Sequence, residues 1–384
     1  MKITIICDIL GIPNNGTTVA TLNLIRYLIG TGKHEVKVVS NDFEGTDIPE
    51  ENQCLLPTLS LGDWADKVIE RNGVSLAKSD TTILTNAISF ADVVHIQLPF
   101  AIGQKAVRIA KQMNKPITAS FHCQAENVSS HFGNLSNNEF LSKEIYEVFW
   151  RNLYRFVDCV HYPTAFIRDT FESAVKHKTN ACVISNGVNG IFKDQHLSRQ
   201  NEKFTIVCSG RFSKEKAQHL LINAVARSKH RDEIRICFAG SGPLLEKRRQ
   251  LAMKKHVDAS FNLYARPALV ELLNTANLYV HTAFIEIEAI SCLEAICCGL
   301  VPVINNAHRS ATKEFALDDA NLFKENNVKD LTKKIDFFFE NPDALAEYKQ
   351  RYEKMTHQFD QQECMKMMEI MLCDAVDIAK NKDK

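Results

Sequence analysis

The chain has 384 residues, of which 45% are hydrophobic and 24% are charged. This length predicts two domains, and this composition is typical of a soluble globular protein. Lysine plus arginine and aspartate plus glutamate number 46 each, so the formal net charge is zero and a dedicated nucleic-acid binder is disfavoured. No run of 18 or more apolar residues occurs, which predicts no membrane-spanning helix but leaves attachment to a membrane surface open.

The N-terminus and the cysteines indicate a cytoplasmic protein. MKITIICDIL has a short apolar run and no small-residue cleavage site, so we predict a first buried strand rather than a signal peptide. The twelve cysteines are scattered, mostly in apolar runs such as IVCSG and IRICFAG. We expect buried, reduced thiols and no zinc site, because no C-x-x-C spacing has a matching second pair.

Short β-rich runs alternate with helical patterns in the first half of the chain. In residues 17–29, apolar side chains recur at helical spacing, and residues 104–113 form a second helical pattern. This alternation predicts a parallel, doubly wound sheet. The strands predicted for it are residues 2–7, 35–39, 93–96, 117–121, 159–162 and 181–184.

The same alternation begins again after a polar stretch, and a helical tail follows at residues 343–380. We therefore predict an α/β chain of two Rossmann-like, doubly wound domains that face an inter-domain cleft. The expected division is 1–185, 186–357 and a C-terminal helix at 358–384 that packs back on the first domain. The strands predicted for the second domain are 204–208, 234–238, 260–263, 278–281 and 301–304.

Because parallel sheets bind ligands at the carboxyl ends of their strands, candidate residues are those that follow a strand. The turn GIPNNGTT follows the first strand, and Gly16 would let the backbone approach a ligand while Thr17 and Thr18 begin a helix. A plain capped turn is the alternative. The spacing is not G-x-G-x-x-G, which disfavours a dinucleotide.

Two further motifs follow the first two strands of the second half. Arg211 and Lys216 in SGRFSKEK suit a diphosphate, since arginine offers a fork of donors and lysine a point charge. Surface salt-bridging is the alternative. In FAGSGP, Gly240 and Gly242 permit close approach of the backbone to a ligand, or form an ordinary turn.

Two glutamates stand eight residues apart in EIEAISCLEAICCG. Glu286 follows a strand, and Glu294 lies in an apolar helix predicted at 289–298. The start of that helix favours anionic ligand groups. A glutamate in so apolar a helix needs a hydrogen-bond partner, which either a ligand hydroxyl or another residue of the fold could supply.

In this order, the arginine–lysine pair, GSGP and the two glutamates before A-x-x-C-G-x-V-P-V resemble the retaining family 4 glycosyltransferases of the GT-B fold. DVVHI, the histidine after the predicted strand 117–121 and the junction motif VISNGVN extend the resemblance over nearly the whole chain. It implies an acceptor-binding first domain and a nucleotide-sugar-binding second domain. It also implies these roles: diphosphate binding by Arg211 and Lys216, sugar binding by Glu286, ribose binding by Glu294, a place beside the reacting sugar for His122, closure of the N-terminal loop at Gly16, and the domain junction at Asn186.

No cofactor is expected beyond the nucleotide-sugar, which is a substrate. No D-x-D motif follows a strand, so no metal clamp is predicted, and the two cations with the helix dipole would stabilise the diphosphate instead. One departure from the family concerns its glycine-rich E-G-F-G turn, which reads EIEA at 286–289 here. Ile287 and Ala289 restrict the backbone conformations of this turn, and Glu288 adds a charge. The donor pocket can therefore differ from that of other family members, and the identity of the sugar stays open.

HCQAEN, EIEAISCLEA and SATKEFALDD resemble bacterial diacylglycerol glucosyltransferases. The expected reaction is transfer of a hexose, glucose, from a UDP-sugar to diacylglycerol with retention of configuration. A transferase that builds capsule, exopolysaccharide or another glycan is the alternative, and a non-catalytic sugar-nucleotide-binding relative is a more distant one. A glycogen-phosphorylase-like enzyme would need a pyridoxal-phosphate lysine and a much longer chain.

A lipid acceptor implies an anionic membrane surface as partner and a peripheral position on the inner face of the cell membrane. Two features suit such a surface: basic residues on or beside one helix, and the mixed aromatic and arginine run at 149–155. A solvated helix face and a core helix are the respective alternatives. The basic residues are Lys105, Arg108, Lys111 and Lys115.

Overall fold

The computed structural model describes residues 1–8, 10–11, 16–58, 78–125, 139–197 and 202–382. The chain divides into two compact units, Met1–Asn186 with Gln362–Lys384, and Gly187–Gln361. The functions expected of the two domains stay predictions. Residues 12–15 of the GIPNNGTT turn, residues 126–127 of HCQAEN and residues 383–384 at the chain end lie outside the described residues.

The first unit contains a seven-stranded parallel sheet in the order β3-β2-β1-β4-β5-β6-β7. Its strands are β1 Lys2–Ile6, β2 Glu35–Ser40, β3 Gln53–Leu55, β4 Val93–Ile96, β5 Ile117–Ser120, β6 Cys159–Tyr162 and β7 Ala181–Val183. Its helices before the domain junction are α1 Gly16–Gly30, α2 Thr81–Phe90, α3 Ala101–Gln112, α4 Glu139–Asn152 and α5 Ala165–Val175.

The central strands of this sheet are buried along their whole length. All four residues of β4, of β5 and of β6 are buried, as expected for parallel strands that have helices on both faces. Two helices begin with a side-chain cap, since Asp80 accepts a hydrogen bond from Ile83 N at the start of α2, and Thr164 accepts one from Ile167 N at the start of α5. Sequence therefore fixes both the apolar layers and where these helices begin.

The second unit contains a six-stranded parallel sheet in the order β10-β9-β8-β11-β13-β15, and a separate pair, β12-β14. Its strands are β8 Phe204–Ser209, β9 Ile234–Ala239, β10 Ala259–Asn262, β11 Leu278–His281, β12 Ile285–Glu286, β13 Val301–Asn306, β14 Arg309–Ser310 and β15 Leu322–Lys324. Its helices are α6 His219–Val225, α7 Leu245–Lys254, α8 Arg266–Thr275, α9 Ile290–Cys297, α10 Val328–Glu340 and α11 Pro342–Glu353.

Both sheets start from a central first strand and extend outward in both directions. Both sheets share the order third, second, first, fourth, fifth and sixth strand, counted along each sheet, and the first sheet adds β7 as a seventh strand. This is the order of a doubly wound Rossmann-like sheet, and it confirms the predicted fold class. The edge strands β3 and β15 were not predicted.

The helical pattern at residues 343–380 forms two α-helices. The two helices are α11 and α12 Gln361–Lys382, separated by a 3-10 turn at Thr356–Phe359. Phe359 packs edge-on against Phe315, with ring centroids 5.7 Å apart, so the break is held in the core of the second unit. The α12 side chains Met365, Met368 and Leu372 lie in the core of the first unit.

Several residues of the two features that suit a membrane surface make contacts within the fold. Phe149 and Tyr154 of the aromatic run are buried, and the Tyr154 ring lies 5.1 Å from that of Phe121, so this run belongs to the core. Lys115 Nζ donates to the carbonyl oxygen of Ala91 at 2.6 Å. Arg108 remains exposed. No helix within the described ranges is long and apolar enough to cross a membrane.

Candidate active site

Two glycine loops interlock at the carboxyl ends of β8 and β9. Gly210 N donates to Ala239 O at 2.9 Å, and Phe212 N donates to Ser241 O at 2.8 Å. Gly240 has a φ of +153°, and a Cβ there would lie 2.1 Å from Gly210 O. Glycine is therefore required by this contact between the two loops, besides any approach to a ligand.

The loop after β8 carries Lys216 against Glu286. Lys216 Nζ donates to Glu286 Oε1, and the two side chains are 23% and 11% exposed. The short β12–β14 pairing places Glu286 beside Ser310 and fixes its backbone. Thr282 Oγ1 donates to Lys216 O at 2.6 Å and holds the lysine from its other side. The two predicted ligand-binding residues, 70 positions apart, are thus in direct contact.

His281, the last residue of β11, is the second partner of Glu286. Its Nε2 lies 3.2 Å from Glu286 Oε1, and its side chain is 3% exposed. Burial alone would raise the pKa of Glu286, but Lys216 and His281 outweigh it and lower that pKa to about 2. For Lys216 burial would lower the pKa, and Glu286 outweighs it and raises the pKa. Both groups therefore stay charged at neutral pH.

Arg211 lies on the same loop as Lys216. Its residue is exposed, and its guanidinium has no hydrogen-bond or ion-pair partner among the residues that the structure describes. Its backbone is fixed, because Gln218 Nε2 donates to Arg211 O at 2.8 Å. A fixed backbone with a free planar fork of donors is suited to an incoming anion such as a phosphate.

Glu294 lies on α9, which begins four residues after Glu286. It is half-buried, and within the described parts of the chain its carboxyl has no hydrogen-bond partner. Burial raises the pKa of Glu294 to about 7, with Arg266 opposing the rise. The Glu294 carboxylate is therefore available to accept a hydrogen bond from a ligand hydroxyl, because no protein group in the described residues donates to it.

In the EIEA turn, an alanine adopts a backbone conformation that glycine usually occupies. Ala289, the residue before α9, has φ +60° and ψ +57°, which is the left-handed conformation. An L-residue held there costs about 1–2 kcal/mol. We expected Ala289 to narrow the freedom of this turn, and the structure instead holds the alanine in the strained conformation. Such strain is often found where a backbone must adopt one particular arrangement at a functional site.

His122 and Gly16 belong to the first unit. His122 follows β5, is 9% exposed, and its carbonyl oxygen accepts from Thr17 Oγ1 at 3.4 Å. Burial, with smaller effects from His161 and His95, holds the pKa of His122 well below its ordinary value. Gly16 is exposed at the start of α1 and has open space where a Cβ would be. Thr17 thus joins the start of α1 to the histidine loop.

Three residues near the site were missed in the sequence. His281 could have been found, because it ends a predicted strand, where parallel sheets bind their ligands. Thr282 and Gln218 act through contacts that no spacing rule reveals. The structure brings Arg211, Lys216 and Glu286 to one edge of the second sheet.

Family models match both halves of the chain. The model described as "Glycosyltransferase Family 4" matches residues 14–189, and the model described as "Glycosyl transferases group 1" matches residues 177–355. Together they extend over most of the chain. The chain belongs to glycosyltransferase family 4. Its GT-B fold is likewise that of the solved family relatives described next.

This family 4 glycosyltransferase is similar to the following three proteins. The α-monoglucosyldiacylglycerol synthase of Streptococcus pneumoniae is 24% identical over 230 residues, 56% of this chain and 51% of the relative, so the chain spans about half of that protein's length. Anabaena Alr3699/HepE in complex with UDP is 17% identical with a TM-score of 0.73, covering 97% of this chain and 100% of that one. The catalytic domain of cholesterol-α-glucosyltransferase from Helicobacter pylori is 44% identical over 41% of this chain and 99% of that domain, with a TM-score of 0.38.

Within the described residues of this glycosyltransferase, no three histidine, cysteine, aspartate or glutamate side chains gather as a metal site would require. Arg211 and Lys216 lie on the loop after β8, and the helix α9 begins four residues after Glu286. This arrangement can bind an anionic group through charge and directed donors.

Proposed function

We propose that this glycosyltransferase moves glucose from UDP-glucose to the hydroxyl group of a membrane lipid, diacylglycerol, with retention of configuration. The observation that carries the proposal is the Arg211 guanidinium, which has no partner in the described parts of the chain and lies on the same loop as the Lys216–Glu286 pair. A nucleotide-sugar needs cations for its diphosphate and a hydrogen-bonding group for its sugar, and this loop offers both side by side.

The donor assignments follow the family motif residue by residue. Arg211 and Lys216 bind the diphosphate, and Lys216 can do so while it keeps Glu286, because an ammonium group has three donors. Glu286 accepts from sugar hydroxyls and Glu294 from the ribose hydroxyls. Gly240 and Gly242 keep the backbone close to the ligand. UDP as the nucleotide is supported by the Anabaena relative, which has been solved with UDP and with UDP-glucose.

The chemical step breaks the bond between the anomeric carbon of glucose and the diphosphate oxygen, and it forms a bond from that carbon to the acceptor oxygen. Charge develops on the leaving diphosphate, where Arg211, Lys216 and the start of α9 stabilise it. The acceptor's proton passes to a departing phosphate oxygen, on the same face of the sugar. His122 is assigned a place beside the reacting sugar by the family motif.

The acceptor assignment is supported by a relative's name and by sequence motifs. The pneumococcal relative is named a synthase of α-monoglucosyldiacylglycerol, and the HCQAEN, EIEAISCLEA and SATKEFALDD segments resemble that subfamily. A lipid acceptor places the protein in the cytoplasm, at the inner face of the membrane. Transfer to a capsule, exopolysaccharide or other glycan is the alternative for the same donor site.

The test is a product assay with matched donors and acceptors. The protein is incubated with UDP-glucose, UDP-galactose, ADP-glucose or GDP-mannose and with vesicles that contain diacylglycerol, and lipids are read by mass spectrometry. Cholesterol vesicles and soluble oligosaccharides form the other acceptor arms, the sterol because it is named for the Helicobacter pylori domain. We expect a hexosyl-diacylglycerol from UDP-glucose, and none from Arg211→Ala. A product on soluble glycans alone would overturn the lipid assignment, and a product on cholesterol alone would replace diacylglycerol as the acceptor.

A flotation assay separates lipid binding from lipid chemistry. The protein is mixed with vesicles of phosphatidylcholine alone or with phosphatidylglycerol added, and the floated fraction is measured. We expect flotation that depends on the anionic lipid and weakens as salt rises. Full activity on a soluble acceptor together with no flotation would contradict a membrane-surface enzyme.

A further inference from the structure

Four buried side chains form one hydrogen-bonded chain across the first sheet. His95 on β4 bonds Thr118 Oγ1 through Nδ1 at 2.8 Å and Ser120 Oγ through Nε2 at 3.0 Å. Ser120 Oγ also lies 2.9 Å from His161 Nδ1 on β6. His161 Nε2 lies 2.7 Å from the carbonyl oxygen of Ile184, beyond β7. These side chains are at most 2% exposed, so water does not compete for the bonds.

The partners fix the direction of every bond in this chain. Ile184 O can only accept, so His161 carries its proton on Nε2. With His161 neutral, its Nδ1 accepts from the Ser120 hydroxyl, which has then used its one proton. Ser120 Oγ must therefore accept from His95 Nε2–H, and His95 Nδ1 accepts from the Thr118 hydroxyl. Burial, as the leading cause, lowers the pKa of His95 to about 3 and that of His161 to about 4, so both rings are neutral at pH 7.

This chain ends against His122. His122 stands two positions after Ser120, just past the end of β5. The His122 and His161 rings meet edge to face, with centroids 5.7 Å apart. Neither ring nitrogen of His122 has a hydrogen-bond partner among the described residues. The His122 ring therefore packs against a ring that is itself hydrogen-bonded at both nitrogens.

We propose that His161 is the positioning residue for His122, held in place by the Ser120 hydroxyl and the Ile184 carbonyl. This deepens the proposed function, because it rests on the assignment of His122 to the reacting sugar. Both bonds must be made for the His161 ring to be locked. The His122 ring then keeps one orientation with its nitrogens unused, ready for the substrate. Ile184 lies two residues before Asn186. The carbonyl group that ends this hydrogen-bonded series is therefore on the segment that leads out of the first unit.

A double-mutant cycle tests the proposal on the transfer reaction. His161→Phe keeps a planar ring and removes both bonds, and we expect kcat to fall about 10- to 100-fold, with the KM for UDP-glucose changed by less than about threefold. His161→Gln can still accept from Ser120 and donate to Ile184 O, and we expect it to restore most of kcat. In a His122→Ala background, adding His161→Phe should lower kcat by a further factor of less than about three, because its effect acts through His122.

The controls separate positioning from folding. His34→Gln replaces another buried histidine, one that bonds Glu369 and lies away from this chain, and it should leave kcat unchanged. If His161→Phe and His122→Ala lower kcat by independent factors that multiply in the double variant, the proposal is wrong. It is also wrong if His161→Gln is as impaired as His161→Phe while both melt at the wild-type temperature.

A ligand-free measurement stands apart from the proposed function. Nitrogen NMR of ¹⁵N-histidine protein reads tautomers directly, and we expect His95 and His161 both neutral with the proton on Nε2 at pH 7. The His122 ring signals should broaden or shift in His161→Phe and not in His161→Gln. A Nδ1–H tautomer at His161, or unchanged His122 signals in His161→Phe, would overturn the positioning role. Absence of any transfer by wild-type protein, with the expected tautomers, would instead refute the proposed function alone.

Discussion

Replacing Lys216 by methionine would leave the Glu286 carboxylate buried without its cation. Methionine keeps the length and apolar stem of the lysine, so the change removes mainly the charge and its donors. His281 alone would then hold Glu286, through its one contact at 3.2 Å. A buried carboxylate that loses its partner keeps the full cost of desolvation, and we expect the second unit to lose stability.

The magnitude follows from the pKa of Glu286. That pKa falls from 4.5 to about 2, which at ~1.4 kcal/mol per unit stabilises the ionised form by about 3 kcal/mol. His281 supplies part of this, and the 23% exposure of Lys216 adds screening. We therefore expect a coupling free energy of about 2 kcal/mol between Lys216 and Glu286. Because the folded pKa is depressed, this stability is present above about pH 4.5 and is lost as the pH falls toward 2.

The assay is urea unfolding followed by circular dichroism at pH 7, on wild type, Lys216→Met, Glu286→Gln and the double variant. The double variant should be more stable than Lys216→Met, since glutamine carries no buried charge. Lys229→Met removes one partner of an exposed ion pair with Glu340 and serves as the matched control, with no measurable loss expected. A coupling below about 0.5 kcal/mol, or a loss in Lys216→Met no larger than in Lys229→Met, would refute the reasoning.

Three further changes test other parts of the site. Arg211→Ala should lower kcat/KM about 10²- to 10³-fold in the transfer assay, and a change under about threefold would remove Arg211 from the diphosphate site. Glu294→Gln should weaken UDP binding in calorimetry. The same variant should melt higher than wild type at pH 8 but not at pH 5, because the raised pKa of about 7 makes the ionised carboxylate destabilising only as the pH rises; equal melting shifts at both pH values would contradict this. Gly240→Ala should destabilise the protein by about 2–4 kcal/mol, because its Cβ would lie 2.1 Å from Gly210 O, whereas Gly190→Ala, with no atom within 4 Å, should not.

Much of the fold could be predicted because its sequence signals are local. The fully buried strands β4, β5 and β6 are continuous apolar runs, and their alternation with amphipathic helices leaves a parallel sheet as the one consistent arrangement. The 3-10 turn at Thr356–Phe359 contains no proline or glycine to mark it, and the ring contact of Phe359 with Phe315 is visible only in the structure. Two-residue strands such as β12 and β14 have no period to detect.

In the site, too, the individual residues were predicted from local signals and their contacts were not. Arg211, Lys216 and Glu286 were predicted as site residues because each follows a strand, and Glu294 because it lies in an apolar helix, in a spacing that the family shares. The direct bond between Lys216 and Glu286 was not predicted, since it depends on how two loops 70 residues apart meet. The chain from His95 to His161 was equally hidden. Its members sit on three neighbouring strands, and only the strand register brings them together.

The central claim is that this chain transfers glucose from UDP-glucose to a lipid hydroxyl with retention. The most direct measurement is proton NMR of the glycolipid that wild-type protein forms from UDP-glucose and diacylglycerol vesicles, with UDP release followed in parallel. We expect one UDP to be released for each glucose attached, and the attached sugar to be α-linked as in the donor. A β-linked product, or release of UDP with free glucose and no lipid-linked sugar, would contradict it.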